Sequence, residues 1–269
     1  LFAFNGKLTL ENLRFESNTA AICGGGLYLN EVDATLVNVT FLGNSMTFLR
    51  KAIAITADTY PGVSIGGGGF CLNSSSSTTL TNVTFSDNMA ENDGGGMHNW
   101  KSNPKLINVA FSHNWAEDAG GGLANIQSHP TLTNVTFSKN DAGKRGGGMY
   151  NEKSSPKLRN CILWGNVALD GAQIYNHEES RPDIARCDIE GSGGSRAWDA
   201  SLGRDLGNNL DDPPFCLNAN ARDLHLCEGS PAADAGDNYY VTVKVDLDGN
   251  PRIVNGRVDM GAYEFQRND

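Results

Sequence analysis

A block of three consecutive glycines returns along this chain at a fixed interval, and that interval restricts the fold more than any other feature. Gly94-Gly95-Gly96-Met97-His98-Asn99 is followed by Gly120-Gly121-Gly122-Leu123-Ala124-Asn125 and by Gly146-Gly147-Gly148-Met149-Tyr150-Asn151, so the first glycines fall 26 residues apart. Earlier copies are Gly24-Gly25-Gly26-Leu27-Tyr28 and Gly67-Gly68-Gly69-Phe70-Cys71, and a decayed copy is Gly171-Ala172-Gln173-Ile174-Tyr175-Asn176. A period of this size marks a solenoid whose units pack on their neighbours. Glycine-rich loops also cradle phosphates, but no helical pattern follows these and no Lys-Ser/Thr completes a nucleotide loop. The block is read as a corner of the coil.

A second motif runs in phase with it: Asn38-Val39-Thr40-Phe41, Asn82-Val83-Thr84-Phe85, Asn108-Val109-Ala110-Phe111 and Asn134-Val135-Thr136-Phe137, with Asn160-Cys161-Ile162-Leu163 and Arg186-Cys187-Asp188-Ile189 after them. From 82 to 186 each step is 26, whereas the step from 38 to 82 is 44. The extra length predicts an insertion loop over 45–65. The repeats show no 3.6-residue period, which excludes helices there. Three short strands and three turns per 26 residues form one coil of a parallel β-helix, with coils about 4.8 Å apart. Val83, Val109 and Val135, like Phe85, Phe111 and Phe137, are then internal columns. Asn82, Asn108, Asn134 and Asn160 form an amide ladder at one bend, and Asn88, Asn114, Asn140 and Asn166 form another. The three Asn-Val-Thr triplets match a glycosylation sequon as a by-product of that ladder.

The coils span 1–190, and 191–269 is expected to be a C-terminal β cap over the open end, with strand-like alternation from Val241 to Phe265. The N-terminal coil shows no such cover, which suggests self-association or end-to-end stacking there, or a chain that continues upstream of Leu1. Cys161 and Cys187 lie one repeat apart, and Cys216 and Cys227 flank a short loop. Both pairs can reach the Cα separation of about 4.4–6.8 Å that a bridge requires, so disulfides are predicted at each, pointing to a secreted or cell-surface protein. The formal charge of −10, with no basic cluster, argues against nucleic acid as a partner. No run approaches the roughly 18 apolar residues of a membrane span.

The candidate binding surface is the column just after the glycines. If Met97 points inward, His98 points outward, and its equivalents include Tyr28, Tyr150 and Tyr175, with Trp100 nearby. An aromatic row on a rigid face can stack on sugar rings, and stacked aromatics also simply stabilise a sheet. Asp246, Asp248 and Asn250 read as part of a calcium loop, although no bidentate Glu follows, or as plain turn chemistry. Glu91, Asp93, Glu117 and Asp118 precede the glycines and can face one another across coils, as a glycosidase pair would. No catalytic residue is assigned.

The Phe-x-x-Asn units, Phe15-Glu16-Ser17-Asn18 through Phe137-Ser138-Lys139-Asn140, resemble those of the polymorphic outer-membrane protein family, with Gly-Gly-Gly here in place of that family's Gly-Gly-Ala-like turn. Ser230-Pro231-Ala232-Ala233-Asp234-Ala235-Gly236, Asp246-Leu247-Asp248-Gly249-Asn250-Pro251-Arg252 and Asp259-Met260-Gly261-Ala262-Tyr263-Glu264 resemble the choice-of-anchor bacterial surface proteins. Together these resemblances imply an all-β, right-handed single-stranded parallel β-helix exported to the cell surface or medium, and they carry no catalytic residues. The expectation is an adhesin-like or structural binding module whose ligand is a polysaccharide or a host-surface molecule. A polysaccharide lyase or glycoside hydrolase is the alternative, and a filament subunit the next.

Overall fold

The computed structural model describes residues 1–47, 65–75, 77–214 and 222–266. The chain winds into a parallel β-helix of about seven turns, with 26 residues in a regular turn. Strands Phe2–Glu16 and Leu27–Leu42 run unbroken round two faces of the first coils. Later coils split the same stretch at a Ser/Pro turn, as in Met97–Trp100 and Lys105–Ser112, and add a short third strand, here Trp115–Ala116. All pairing between coils is parallel, and equivalent positions of the motif stack, as in Val39↔Val83, Val83↔Val109 and Val109↔Val135. Ser45–Met46 pairs with Thr19–Ala20 and Met89–Ala90, so these two residues belong to the coil. The rest of the expected insertion, residues 48–64, lies outside the described residues.

Each coil closes through four left-handed corners, seen in one turn at Gly94, Lys101, Asn108 and His113 (φ 49–69°). A left-handed backbone disfavours a Cβ, which is why Gly and Asn take two of these places. At the triple glycine the reason is also contact: a Cβ on Gly95 would sit 2.4 Å from the Trp115 carbonyl oxygen, and one on Gly96 2.7 Å from that of Gly122. Inside, aromatic rings stack face to face, with Phe85–Phe111 centroids 4.7 Å apart and Phe111–Phe137 4.6 Å.

Amide ladders take up the backbone groups that the corners release. Asn114 Nδ2 donates to Asn140 Oδ1 (2.8 Å) and to the Phe85 carbonyl (2.9 Å), while Asn114 Oδ1 accepts from Asn88 Nδ2 (2.9 Å) and the Asn88 amide (3.1 Å). This buried ladder runs from Asn18 to Asn166 and ends on Gln173 Oε1 at 2.6 Å. The corner ladder links Asn12, Asn38, Asn82 and Asn108. Asn134 and Asn160 depart from expectation and donate instead to carbonyls of the C-terminal segment. A third ladder, Asn99–Asn125–Asn151–Asn176, was not anticipated.

Residues 191–210 close the end of the coil, with Leu202 and Trp198 packed on the core. Residues 222–266 instead run back along the flank, where Leu224 and Ala262 meet Ala110, and Leu226, Ala232 and Met260 meet Ile162. The expected strands from Val241 to Phe265 are absent; that stretch holds only the isolated bridges Val245↔Pro251 and Val254↔Arg257. Its amides pair with carboxylates instead. Asp246 accepts from the amides of Asp248, Asn250 and Glu264, and Glu264 from those of Val254 and Asp259.

Cys161 and Cys187 stack in adjacent coils as expected, but both are buried free thiols. They take the inward place of Val135 in the coil below, and in-register stacking aims both sulfurs the same way, so the Cys161 amide points at Cys187 Sγ (3.4 Å) rather than one sulfur at the other. Cys227 is disulfide-bonded, and Cys216 lies outside the described residues. A bridge that was not anticipated joins Cys23 to Cys71.

Removing a buried ladder amide strands the groups on both sides of it. Asn114→Ala is expected to cost about 2–4 kcal/mol, at about 1–3 kcal/mol per buried unsatisfied group. Asn12→Gly, at an exposed left-handed corner, is expected to be near neutral. Urea denaturation midpoints of the two variants check the difference.

Candidate functional site

One outer face of the coil carries three parallel columns. The first is the predicted one, and pairing stacks Tyr28, Cys71, His98, Ala124, Tyr150 and Tyr175 in that order. Two residues further along each strand, and on the same side of it, stand Trp100, Ile126, Glu152 and His177. The third column is a shelf formed by the residue before each triple glycine. It runs Cys23, Gly66, Asp93, Ala119, Arg145 and Asp170, held by bonds such as Gly94 N to Ala119 O (2.9 Å) and Gly120 N to Arg145 O (3.0 Å).

The shelf folds over the sheet with an offset of one coil. Cys23 bonds to Cys71 of the next coil, and a Cβ on Gly66 would lie 2.7 Å from His98 Nδ1. Ala119 packs with Tyr150, and the Arg145 guanidinium sits over the Tyr175 ring at 5.3 Å. A disulfide, a close backbone contact, an apolar contact and a cation–π contact thus fill the same geometric position. The register gives Asp93 the coil of Ala124, the smallest side chain in its column. Ala124 itself is fully buried there.

Around that position the titratable groups influence one another. Burial pushes the Asp93 carboxyl up to about 7, with Asp118 and Glu152 adding negative potential, an amide bond from Ala119 opposing, and Lys144 partly offsetting them. Lys144 is ion-paired with Asp118. Tyr150 Oη donates to Glu152 Oε2 at 2.8 Å and lies 3.5 Å from His177 Nδ1, and burial first, then Glu152, raises the phenol pKa. Tyr150 and Tyr175 rings stack at 6.1 Å.

The structure therefore brings Tyr150 and Tyr175 together, and it places the other expected residues differently. His98 is fully buried and pushed down to about 4 by that burial, so it is neutral at pH 7 and offers no outward ring. Tyr150 is only 5% exposed, whereas Tyr175 is half-buried. Tyr28 stands four coils away with Phe2 and Phe4, and Trp100 is covered by Lys101 at 4.0 Å. Arg145, Glu152 and His177 were missed, although the 26-residue step from Trp100 leads to Ile126 and then Glu152. Asp246 and Asp248 serve elsewhere: Asp246 is buried and accepts three amides, Asp248 bonds His225 Nε2 at 2.6 Å, and Asn250 contributes its backbone amide. Among the described residues, no three His, Cys, Asp or Glu side chains group to hold a metal ion.

A stacked coil, an asparagine ladder and an outer face with a shelf define the class, a parallel β-helix solenoid. The family model described as "right handed beta helix region" matches residues 1–201, three quarters of the chain, and the protein belongs to that right-handed β-helix family. A search of curated proteins finds no match.

The titration of the buried acids sets a direction for stability. Asp93 and Glu264 are raised to about 7, against about 3.9 and 4.3 for unfolded Asp and Glu. The folded state therefore holds more protons in that window, and stability falls as pH rises through it. Burial opposes charge on His225, but Asp248 and Asp223 outweigh it and raise its pKa. The stabilisation from that histidine is complete below about 6.5 and is lost above its raised pKa. His98, lowered to about 4, acts in the opposite sense, but only below about 6.5. Thermal unfolding followed from pH 6 to 8 should show Tm falling by a few degrees, at about 2–4 °C per kcal/mol. Asp93→Asn, which mimics the protonated acid, should flatten part of that slope.

Proposed function

We propose that this protein is an extracellular or cell-surface β-helix scaffold that binds a polysaccharide along the groove between shelf and sheet. The observation that carries the reading is the cluster of aromatic and ionisable side chains around the position of Ala124. It holds the stacked Tyr150–Tyr175 pair, Glu152 and His177 along the strands, and Asp93 and Arg145 on the shelf. A half-buried aromatic ring next to hydrogen-bonding carboxylate and imidazole groups suits a sugar, whose CH face stacks while its hydroxyls bond. The Cys23–Cys71 disulfide supports a location outside the reducing cytosol.

A second reading has one observation in its favour. The Asp93 carboxyl, raised to about 7 chiefly by burial, stands close enough to Glu152 for the Glu152 charge to raise it further. One carboxyl that keeps its proton beside one that accepts bonds is the division of labour of a glycosidase.

Calorimetric titration of the intact chain against a panel of neutral and acidic polysaccharides separates the two. Binding without turnover is expected, weakened about tenfold (about 1.4 kcal/mol) by Tyr175→Ala and by Glu152→Gln. If reducing or unsaturated ends are released, and Asp93→Asn stops the release while binding persists, the enzyme reading replaces the scaffold. Failure of every polysaccharide to bind removes both.

A further inference from the structure

The asparagine corner on the flank bonds more than its neighbouring coils, because a side-chain amide nitrogen carries two hydrogens. Asn108 Nδ2 donates one to Asn82 Oδ1 at 3.0 Å and the other to the Val245 carbonyl at 2.7 Å. Asn134 Nδ2 donates to the Asp259 carbonyl at 3.2 Å, and Asn160 Nδ2 to the Asp237 carbonyl at 3.1 Å. Two residues after Asn134, Thr136 Oγ1 accepts the Ala262 amide at 2.9 Å. In three successive coils this row grips main chain.

Among the described residues, the row continues beyond the last hydrogen bond that the C-terminal segment makes to it, at Asn108. Asn38 with Thr40 and Asn82 with Thr84 repeat the pair in the two preceding coils. With Val245, Leu247, Asp248, Gly249 and Tyr263 they line a cleft of about 420 Å³, within the size range of ligand sites. Asn82 Nδ2 gives one hydrogen to Asn38 Oδ1 (3.3 Å), and Asn38 Nδ2 gives one to Asn12 Oδ1 (3.0 Å). By the geometry of Asn108, the second hydrogen of each is directed into the cleft. Thr84 donates its hydroxyl to Thr40 Oγ1 at 3.1 Å, which leaves Thr84 Oγ1 able to accept. On the facing wall Val245, Leu247 and Tyr263 present apolar surface beside the Asp248 carboxylate.

We propose that this cleft docks a peptide segment of a partner protein, its carbonyls on Asn38 and Asn82, an amide on Thr84 and an apolar side chain against Leu247 and Tyr263. The site extends an interface that the molecule already forms with its own C-terminal main chain. A saccharide without N-acetyl groups offers hydroxyls but not the carbonyl-and-amide pair that the Asn134–Thr136 unit holds.

The probe is a capped peptide with the sequence of residues 258–263, which carries the carbonyl and amide gripped by Asn134 and Thr136, titrated into the intact ¹⁵N-labelled chain. Saturable shifts are expected at the Asn82 side-chain amide and at Leu247 in the millimolar range. Asn82→Asp, which keeps the acceptor for Asn108, and Thr84→Val, which is isosteric, should each weaken binding at least fivefold with an unchanged far-ultraviolet spectrum. Thr84→Val carries the test alone if Asn82→Asp does not fold. The proposal is overturned by the absence of saturable shifts, or by unchanged affinity in Thr84→Val. Shifts at Asn134 and Thr136 instead, marking exchange with the chain's own segment, also overturn it. So does perturbation of the cleft amides by cellobiose or chitobiose but not by the peptide.

Discussion

In-register stacking of the Asn18-to-Asn166 column is the constraint on which the other features depend. A coil that turns four corners at positive φ exposes main-chain groups that no strand ladder can satisfy, and an unsatisfied buried group costs about 1–3 kcal/mol. Here one side chain per coil bonds the backbone and the amide of its neighbours at once, for example Asn140 to the Phe111 carbonyl and to Asn166 Oδ1. The arrangement works only if the ladder positions stay in register from coil to coil, as they do even across the 44-residue step from Asn44 to Asn88. An extra residue within a strand would move Asn out of register and turn the inward Phe column outward. The 26-residue period is thus a consequence of satisfying hydrogen bonds.

That same repetition made the coils legible in the chain. Positions that stack repeat in sequence, so Val83, Phe85, Asn88 and Gly94 could be placed in columns by counting, and counting was enough for the coil strands, the Asn88–Asn166 ladder, the corner ladder as far as Asn108 and the aromatic stack. It failed where a contact joins different columns. Cys23 and Cys71 are 48 residues apart, which is not a multiple of the period, because one stands on the shelf and the other on the face of the next coil. Cys161 and Cys187 do lie one period apart, and for that reason their sulfurs run parallel and remain thiols. Identical spacing is evidence for stacking and poor evidence for a bridge.

The site was half legible for the same reason. The column from Tyr28 to Tyr175 is real, but whether its members meet solvent depends on the shelf, whose offset of one coil has no signature in the spacing. Gly66 lies against His98 and buries it, Ala119 packs on Tyr150, and Arg145 covers one side of Tyr175. Ala124 is fully buried and clusters with Ala119 and Tyr150. A small residue in an aromatic column reads as decay of the repeat, yet here it sits in the coil that the register gives to Asp93, next to Tyr150.

The flank solves the same backbone problem without repetition. Its buried Arg252 donates to the carbonyls of Asp259 and Gly261 and stands 3.9 Å from Glu264. Asp246, Asp259 and Glu264 take up the amides of the surrounding turns. Carboxylates therefore do for this segment what neighbouring strands do for a coil, which is why residues that alternate like strands form none. Such a segment cannot extend itself by adding copies, so its edge is set by its own side chains. Among the described residues its last bond to the row is at Asn108, while the asparagine–threonine row, fixed by the coil, runs on to Thr40. A surface built to hold main chain is consequently longer than the main chain that the segment supplies, and the two extra rungs owe their bonding chemistry to the period rather than to the flank.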